Sequence, residues 1–410
     1  MNIGWIPLSL LGALVWGEWL VRQLFGGAYR PAREAHHETT SVVVPVYRED
    51  PEVLEQSLAT WLRNEPDEVL LVIDYSEHET IERAREWVQL HPGLRSIVVE
   101  PPGKRHALCV GVRAASADVV ILTDSDTLWA DDFLDQLLRG FSDPRVGGVG
   151  CRQNVLQPET SLWRRVADWM LDVRFLHYLP CMARNKAIPC ISGRTAAYRR
   201  AVILPMLDEL EHETFLGKPC ISGDDGRLTW LVLREGYKAA HQSSARVWTV
   251  FPNTFRGFVK QRVRWSRNSY RCYFRAIWKG WLWRQPLLTP VSVVQNLIGP
   301  FTLLVPVALA VRAVLTGNFV LAGAAAGWLV IGRGVKGFRH LLPSPRNTLL
   351  LPFMTLLSVF VIVPIKLWAL LTLNKQGWVT RVHGEAVAEG QGRETLAPNL
   401  HLKLESEARQ

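Results

Sequence analysis

The stretch from Val119 to Asp126 reads VVILTDSD, an apolar run that ends in two acidic residues. A short β-branched run followed at once by polar residues is typical of a strand and the loop after it. Asp124 and Asp126 then stand at the end of that strand, close enough to share one hard cation such as Mg²⁺ or Mn²⁺. An isolated D-x-D also occurs as an acidic turn that caps the next helix. The stretch therefore predicts a strand whose exposed end carries charge.

Other runs with the same pattern alternate with helical stretches between about residue 39 and residue 255. The four runs, of which the last contains the apolar run quoted above, are Ser41–Val46, Val69–Asp74, Ser96–Glu100 and Asp118–Thr123. This alternation predicts an α/β domain with a mainly parallel sheet. Ligands bind beyond the carboxyl ends of such strands, which is where Tyr47, Asp74 and Asp124 lie. We expect these side chains to face one crevice.

A second acidic pair, Asp224 and Asp225, follows Gly223 and precedes a helix-like segment. One of these carboxylates is a candidate general base. Carboxylates in a first turn also stabilise a helix through its dipole without any catalytic role, so the pair alone supports both interpretations equally. Lys104 and Arg105 place positive charge near another strand end. They suit a diphosphate, although a solvated loop is the commoner explanation for two basic residues.

The composition favours a chain of several structural units at a membrane. Of its 410 residues, 48% are hydrophobic and 21% are charged, which excludes disordered and collagen-like proteins. The net charge is +9, and 17 residues are Trp. The basic residues cluster beside apolar stretches, which fits lipid better than nucleic acid. Six cysteines without a C-x-x-C pair argue against a disulfide framework and a structural zinc site.

The N-terminal segment predicts a transmembrane anchor over residues 1–30. Residues 3–25 are mostly apolar, although Glu18 and Arg22 interrupt them, and no small-residue cleavage pattern follows. Arg30 and Arg33 add to the positive charge after this segment. The positive-inside rule then places the following domain, residues 39–255, in the cytoplasm.

The chain after residue 255 is predicted to lie along and within a bilayer. Residues 256–286 mix basic and aromatic side chains, as interfacial amphipathic helices do. Residues 287–373 contain three apolar runs, of which the first two predict a transmembrane hairpin. The third, Thr348–Leu373, contains Pro352 and Pro364, which break or kink helices, and we expect a re-entrant or interfacial helix there. Residues 382–410 are polar without periodicity and predict a disordered tail.

The order and spacing of eight short motifs carry a resemblance to a known family. In chain order they read VVVPVYRE, VID, GKRHA, DSDT, SGRT, GDD, QRVRW and WVTR, over about residues 41–381. Together they resemble the membrane-embedded, processive family 2 glycosyltransferases. Within that family the chain resembles hyaluronan synthases and, more closely, the pneumococcal type 3 capsular polysaccharide synthase. The resemblance implies a cytosolic GT-A-type domain, UDP-sugar donors, a growing polysaccharide as acceptor, Mg²⁺ or Mn²⁺, and a multi-pass location in the plasma membrane.

The resemblance also implies roles for individual residues. The positions that bind the nucleotide correspond to Pro45, Tyr47, Glu49, Asp74 and Lys104. Asp124 and Asp126 correspond to the D-x-D motif, whose second acid contacts the metal on the UDP diphosphate. Asp225 corresponds to the catalytic base, with Asp224 as its neighbour.

Two further motifs correspond to the acceptor site and to a loop that closes over UDP. In Q-x-x-R-W the matching residues are Gln261, Arg264 and Trp265, and in the gating loop, residues 374–381, they are Trp378, Thr380 and Arg381. Gly226 and Val379 depart from the family pattern, which leaves binding details near them open. Arg194 stands where hyaluronan synthases usually have Pro. It either reads the carboxylate of an acid sugar, or it supports its loop or a phosphate, and the two interpretations carry equal weight.

The function implied is inverting transfer from UDP-sugars, with UDP-glucose and UDP-glucuronic acid or a hyaluronan-like pair as candidate donors. The product would be an extracellular or capsular polysaccharide secreted across the membrane, and Ser292, Gln295 and Asn296 are candidates for lining a polar path. The alternative is a non-processive transferase acting on a lipid acceptor, which would not need Q-x-x-R-W or the gating loop. A channel or scaffold with an inactive transferase domain is disfavoured because the acidic motifs are intact.

Overall fold

The computed structural model describes residues 10–376, with side chains from residue 14 onward. The gating-loop residues Trp378, Thr380 and Arg381 and the predicted disordered tail, 382–410, lie outside the described residues.

Ten strands form the β-structure of residues 10–376. They are β1 (Thr40–Val46), β2 (Glu68–Asp74), β3 (Leu94–Val99), β4 (Val119–Thr123), β5 (Thr127–Trp129), β6 (Val146–Val155), β7 (Thr195–Arg199), β8 (Thr214–Phe215), β9 (Lys218–Pro219) and β10 (Lys238–Thr249).

Sixteen α-helices accompany them in the described chain. They are α1 (Leu10–Gly27), α2 (Pro51–Leu62), α3 (His78–Leu90), α4 (Lys104–Ala114), α5 (Phe133–Leu138), α6 (Leu162–Asp172), α7 (Leu179–Ala183), α8 (Arg200–Ile203), α9 (Leu207–Glu211), α10 (Asp224–Arg234), α11 (Phe255–Trp278), α12 (Leu288–Leu315), α13 (Phe319–Lys336), α14 (Phe338–Leu341), α15 (Leu351–Leu357) and α16 (Val363–Leu371).

The chain divides into two compact units, and the first to consider is the sheet unit, which contains residues 31–156 and 186–251 together with 374–376. Its eight-stranded sheet has the order β3-β2-β1-β4-β7-β6-β10-β5. Strands β3, β2, β1 and β4 run parallel, as do β6 and β10, whereas β7 and β5 are antiparallel to their neighbours. The predicted α/β fold with a mainly parallel sheet is confirmed.

The core of the sheet unit follows from the apolar runs in the sequence. Strands β1, β2 and β4 are buried along almost their whole length, as expected for a sheet covered on both faces. Helix α4 lies so close to the sheet that a Cβ atom at Gly111 would collide with Val43. This close approach fixes the helix whose first residue is Lys104.

The second unit, the helical unit, contains residues 10–30, 157–185 and 252–373. Within the described residues, three helical segments are long and apolar enough to cross a membrane: Leu288–Leu315, Phe319–Lys336 and Pro345–Leu371. Segment 157–185 belongs to this unit, so the predicted catalytic domain, 39–255, is not one continuous stretch of chain. The physical reason is that α6 packs an apolar face, with Val166 and Trp169, into a cluster with Met354 and Leu357.

The third apolar run forms a nearly continuous helical path from Pro345 to Leu371. Pro352 lies in the first turn of α15, and Pro364 lies in the first turn of α16, directly after a π-helical segment over Ser358–Ile362. A first turn tolerates proline because its N–H groups have no intrahelical partner. The prolines therefore do not shorten the segment below spanning length, and its re-entrant or interfacial course stays a prediction.

Polar side chains connect α1 to α12 inside the helical unit. Arg22 forms an ion pair with Glu18, and its Nη2 donates to Gln295 Oε1 over 2.7 Å. Gln295 Nε2 donates to Glu18 Oε2, also over 2.7 Å, which closes a three-membered ring of contacts. Beside it, Lys366 Nζ donates to Asn296 Oδ1 over 2.8 Å. Gln295 and Asn296, two of the residues predicted to line a polar path, thus bind charged side chains of other helices.

Candidate active site

The candidate active site begins where β4 ends. The backbone N–H of Asp124 donates to the carbonyl of Arg194 over 2.9 Å, which continues the antiparallel pairing of β4 with β7 by one residue. Ser125 Oγ donates to Glu49 Oε2 over 2.6 Å, so the D-x-D segment is also bound to the loop after β1. These contacts bring the predicted residues Glu49, Asp124 and Arg194 to one edge of the sheet.

Lys104 connects the two acidic motifs of the sequence. Its Nζ donates to Asp124 Oδ1 over 2.6 Å and lies 3.7 Å from Asp224 Oδ2. Burial alone would lower the pKa of Lys104, but the surrounding carboxylates outweigh it and hold that pKa well above its usual range. Lys104 is therefore a permanent positive charge between the D-x-D motif and the acidic pair.

Asp225 is held in a fixed orientation at the start of α10. Its Oδ1 accepts the N–H of Gly226 over 2.7 Å, and its Oδ2 accepts the N–H of Gly193 over 3.3 Å. Burial and the neighbouring charge of Asp224 raise the pKa of Asp225, against the opposing effect of Lys104 and the two N–H groups. A carboxylate whose pKa is raised in this way is a better proton acceptor at neutral pH than a solvated aspartate.

A buried charge cluster supports the acidic pair from behind, and the sequence analysis did not find it. Glu213 lies between two arginines, with Oε2 2.7 Å from Arg105 Nη1 and Oε1 3.2 Å from Arg227 Nε. Arg105 also donates to the carbonyls of Leu210 and Ser222. The cluster fixes α4 and α10 to the segment between them. Arg105 is the one member of this cluster that belongs to a sequence motif, as the basic residue next to Lys104.

The remaining nucleotide-motif residues are Pro45 on β1, Tyr47 directly after β1, and Asp74 at the end of β2. Pro45 and Val72 are partners in the parallel β1–β2 pair. The guanidinium of Arg48 lies 5.1 Å from the centroid of the Tyr47 ring. Asp74 is buried, and its Oδ1 accepts the N–H and the hydroxyl of Ser76. Their roles in nucleotide binding remain predictions.

The side chain of Arg194 contacts the end of β10. Its Nη1 donates to Thr249 Oγ1 and, over 3.4 Å, to the carbonyl of Val250. The guanidinium also lies 4.1 Å from the ring centroid of Phe251. These contacts support the loop interpretation and leave the sugar-carboxylate interpretation as a prediction.

The Q-x-x-R-W residues lie on α11 in the helical unit. Gln261 is buried, and its Oε1 has no hydrogen-bond partner among the described residues. The guanidinium of Arg262 lies 5.0 Å from the ring centroid of Trp265 and 5.1 Å from that of Phe258. Roles for Gln261, Arg264 and Trp265 in an acceptor site stay predictions.

The chemistry of the D-x-D segment fits a divalent cation. Asp124 and Asp126 offer carboxylate oxygens, the ligand type that Mg²⁺ and Mn²⁺ prefer. A separate group in the helical unit, Asp168, Asp172 and His340, has ligand atoms within 4.8 Å of one another. There His340 Nδ1 already lies 2.8 Å from Asp172 Oδ2 in a hydrogen bond.

Residues 37–268 match the family described as "Glycosyltransferase like family 2". The chain belongs to glycosyltransferase family 2. In this family 2 glycosyltransferase the matched range includes both acidic motifs and the Q-x-x-R-W sequence, whereas residues 378–381 lie beyond it.

The relatives of this family 2 glycosyltransferase extend over most of its length. It is 28% identical over 382 residues to an N-acetylglucosaminyltransferase of Rhizobium meliloti (strain 1021), covering 90% of this chain and 87% of the relative. It is 30% identical over 364 residues to an N-acetylglucosaminyltransferase of Sinorhizobium fredii, covering 86% of each. A hyaluronan synthase of Streptococcus pyogenes is 28% identical over 373 residues, again covering 86% of each. The predicted resemblance to hyaluronan synthases is confirmed.

A solved structure supports the same fold. A mannosyltransferase from Pyrobaculum calidifontis, in complex with GDP-Man and Mn²⁺, superposes with a TM-score of 0.61 at 23% identity, covering 87% of this chain and 97% of its own. This likeness confirms the predicted GT-A-type fold for the family 2 glycosyltransferase described here.

Proposed function

We propose that this protein is a processive, inverting glycosyltransferase that polymerises UDP-sugars into an extracellular or capsular polysaccharide. The observation that carries the proposal is the arrangement of the acidic pair. Asp225 is a partly buried carboxylate held by two backbone N–H groups, and its neighbour Asp224 lies 3.7 Å from Lys104, which also binds Asp124 of the D-x-D segment. Direct displacement of a diphosphate requires a fixed base, here Asp225, and a fixed positive charge, here Lys104, at the same end of the sheet.

In the proposed reaction, Asp225 accepts the proton of the acceptor hydroxyl as that oxygen attacks the anomeric carbon of the donor. The new C–O bond forms on the face opposite the bond to UDP, which breaks with its electron pair on the departing diphosphate. Configuration at the anomeric carbon is therefore inverted. Lys104 lies where it would stabilise the diphosphate charge, next to Asp124.

Asp126, with Asp124, would hold Mg²⁺ or Mn²⁺ in this site. A bound divalent cation supplies positive charge that neutralises the diphosphate of the donor and its leaving group. The donor set of two carboxylates is the support for this assignment, and the Mn²⁺ named with the mannosyltransferase structure is consistent with it.

The helical unit supports the membrane part of the proposal. Three described helical segments have spanning length. In a multi-pass plasma-membrane protein of this kind, the positive-inside rule would put the sheet unit in the cytoplasm. The relatives named hyaluronan synthase and N-acetylglucosaminyltransferase favour a sugar polymer as product. The polymer would leave through this unit.

The test is synthesis by the purified full-length protein in detergent micelles. Single and paired UDP-sugars, including UDP-glucose, UDP-glucuronic acid and UDP-N-acetylglucosamine, are supplied with Mg²⁺ or Mn²⁺, and the products are sized. Long polymers support the proposal, whereas a single sugar on a lipid would assign the non-processive alternative. Asp225→Asn should bind UDP as the unchanged protein does and transfer no sugar. Transfer near the wild-type rate would refute the base.

A further inference from the structure

Thr229 is a fully buried residue of α10, and its side chain joins that helix to the segment before β7. Its hydroxyl donates to the carbonyl of Asp225 over 2.7 Å, and the same oxygen accepts the N–H of Ile191 over 2.9 Å. A threonine hydroxyl bonded to the carbonyl four residues earlier is a local feature of helices. The contact with Ile191 is different, because it joins residues 38 positions apart in the chain. It fixes the segment before β7 to the helix that carries the acidic pair.

The segment that Thr229 fixes lies directly on the acidic pair. The N–H of Gly193 donates to Asp225 Oδ2 over 3.3 Å. A Cβ atom at Gly193 would lie 3.1 Å from Asp225 Cβ and 3.4 Å from Asp224 Oδ2, so a side chain at this position would press on the pair. Ile191 is only two residues before Gly193. The position of the Gly193 N–H therefore depends on the contact between Ile191 and Thr229.

We infer that Thr229 is a positioning residue for Asp225, because through Ile191 it holds the N–H of Gly193 against the carboxylate that accepts the proton. The inference rests on the proposed role of Asp225 as the base. Thr229 is fully buried, and we assign it no contact with donor or acceptor. It transfers no proton, and only hydrogen bonds are involved. Its task is to keep one backbone donor directed at Asp225 Oδ2 while the acceptor hydroxyl approaches.

The groups around Asp225 determine the direction of the effect. The titratable side chains that face it from α10, α4, the segment before β7 and β7 itself are Asp224, Lys104, Cys190 and Tyr198. Burial and the charge of Asp224 raise the pKa of Asp225, whereas the N–H of Gly193 favours the ionised form and lowers that pKa. Weakening this donor alone should therefore raise the pKa of Asp225. Since the base must be ionised, the enzyme would then need a higher pH.

The experiment compares pH profiles of kcat for sugar transfer by the purified full-length protein at saturating UDP-sugar. Thr229→Val removes the hydroxyl and keeps the shape of the side chain, and the acidic limb should move to higher pH by about 0.5 unit. Thr229→Ser keeps the hydroxyl, and its acidic limb should match wild type. Amide hydrogen exchange in the peptide that contains residues 190–193 should be faster in Thr229→Val than in Thr229→Ser. If Thr229→Val does not fold, Thr229→Ala replaces it in the same comparison.

Thr60→Val is the matched control. Thr60 is also buried, and its hydroxyl donates to the carbonyl of Ser57 over 2.7 Å and accepts the N–H of Trp129 over 3.1 Å. The control therefore loses the same two kinds of hydrogen bond, on a helix that does not carry the acidic pair. We expect its melting temperature to fall about as much as that of Thr229→Val, with no shift of the acidic limb and unchanged exchange at residues 190–193.

The outcomes separate this inference from the proposed function. An inactive wild-type protein, or an active Asp225→Asn variant, would overturn the proposed function and with it this inference. If the wild type is active and Asp225→Asn is not, an unshifted acidic limb in the variant without the hydroxyl would overturn the positioning role alone. The same holds if Thr60→Val shifts equally, since the effect would then be one of general stability. A shift that neither Thr229→Ser nor Thr60→Val shows supports the positioning role.

Discussion

At the scale of single residues, the two neighbouring aspartates of α10 have different contacts. Asp225 accepts two backbone N–H groups, whereas Asp224 lies 3.7 Å from the ammonium of Lys104. The negative charge of Asp224 is one cause of the raised pKa of Asp225. We therefore expect Asp224 to help set the pH range in which Asp225, as the proposed base, accepts a proton.

Replacing Asp224 by Asn should move the acidic limb of the transfer rate to lower pH, by about one unit. The sign follows because a base works only when ionised, and removing a neighbouring negative charge lowers the pKa of Asp225. The pH profile of kcat at saturating donor measures the shift. An acidic limb that stays in place, or moves upward, would contradict the electrostatic coupling of the pair.

Arg194 carries the prediction about donor choice. We expect Arg194→Gln to reduce incorporation from UDP-glucuronic acid by about tenfold or more while sparing UDP-glucose, because an arginine–carboxylate pair contributes roughly 1.5–3 kcal/mol. The measurement is incorporation of each sugar separately with acceptor supplied. Arg194→Lys keeps the charge without the bidentate geometry and should be intermediate. Equal losses with both donors would assign Arg194 to its contacts with Thr249 and Val250 alone.

At the scale of elements, Glu213 determines how α4 and α10 are held together. Glu213→Gln would leave Arg105 and Arg227, both buried, without their shared anion. Removing one partner of a buried ion pair typically costs about 3–5 kcal/mol. We expect a clear fall in the melting temperature of the full-length protein, together with loss of transfer.

Glu209→Gln is the matched control for Glu213. Glu209 also pairs with Arg227, over 2.6 Å, but its side chain is 44% exposed, against 6% for Glu213. An exposed pair contributes about 1 kcal/mol or less, so the control should remain close to wild type. Equal destabilisation by both variants would show that burial of Glu213 is not what matters.

Several elements of the sheet unit could be predicted from the sequence, whereas the side-chain contacts that hold these elements together could not. The apolar run before Asp124 indicates a strand because its physical signal is local, and the same holds for the helix that begins at Asp224. The pairing of Arg105 with Glu213 joins residues far apart in the chain, and neither residue type indicates its partner. The roles predicted for the site residues come from the resemblance to a family, whereas the contacts of those residues are visible only in the structure.

At the scale of the whole molecule, the ring of Glu18, Arg22 and Gln295 fixes the N-terminal segment to a helix almost 280 residues later. Arg22→Met should lower the melting temperature in detergent micelles, because Glu18 would keep its charge in apolar surroundings without its cation. The double variant Glu18→Leu, Arg22→Met should recover part of the loss. If the single and double variants melt together, the ion pair does not stabilise the helical unit.

Residues 157–185 belong to the helical unit, and this affects both the order in which the protein is synthesised and the fragments of it that can be produced. The sheet unit is interrupted in the sequence by this segment of the helical unit, and β7 and β10 are synthesised only after that segment. The chain segment that contains α6 is therefore synthesised before the sheet is complete. A water-soluble fragment limited to residues 31–251 would carry α6 with Trp163 and Val166 stripped of their partners Phe258 and Phe353. Such a fragment should aggregate, and successful trimming would have to replace this segment by a short polar connection.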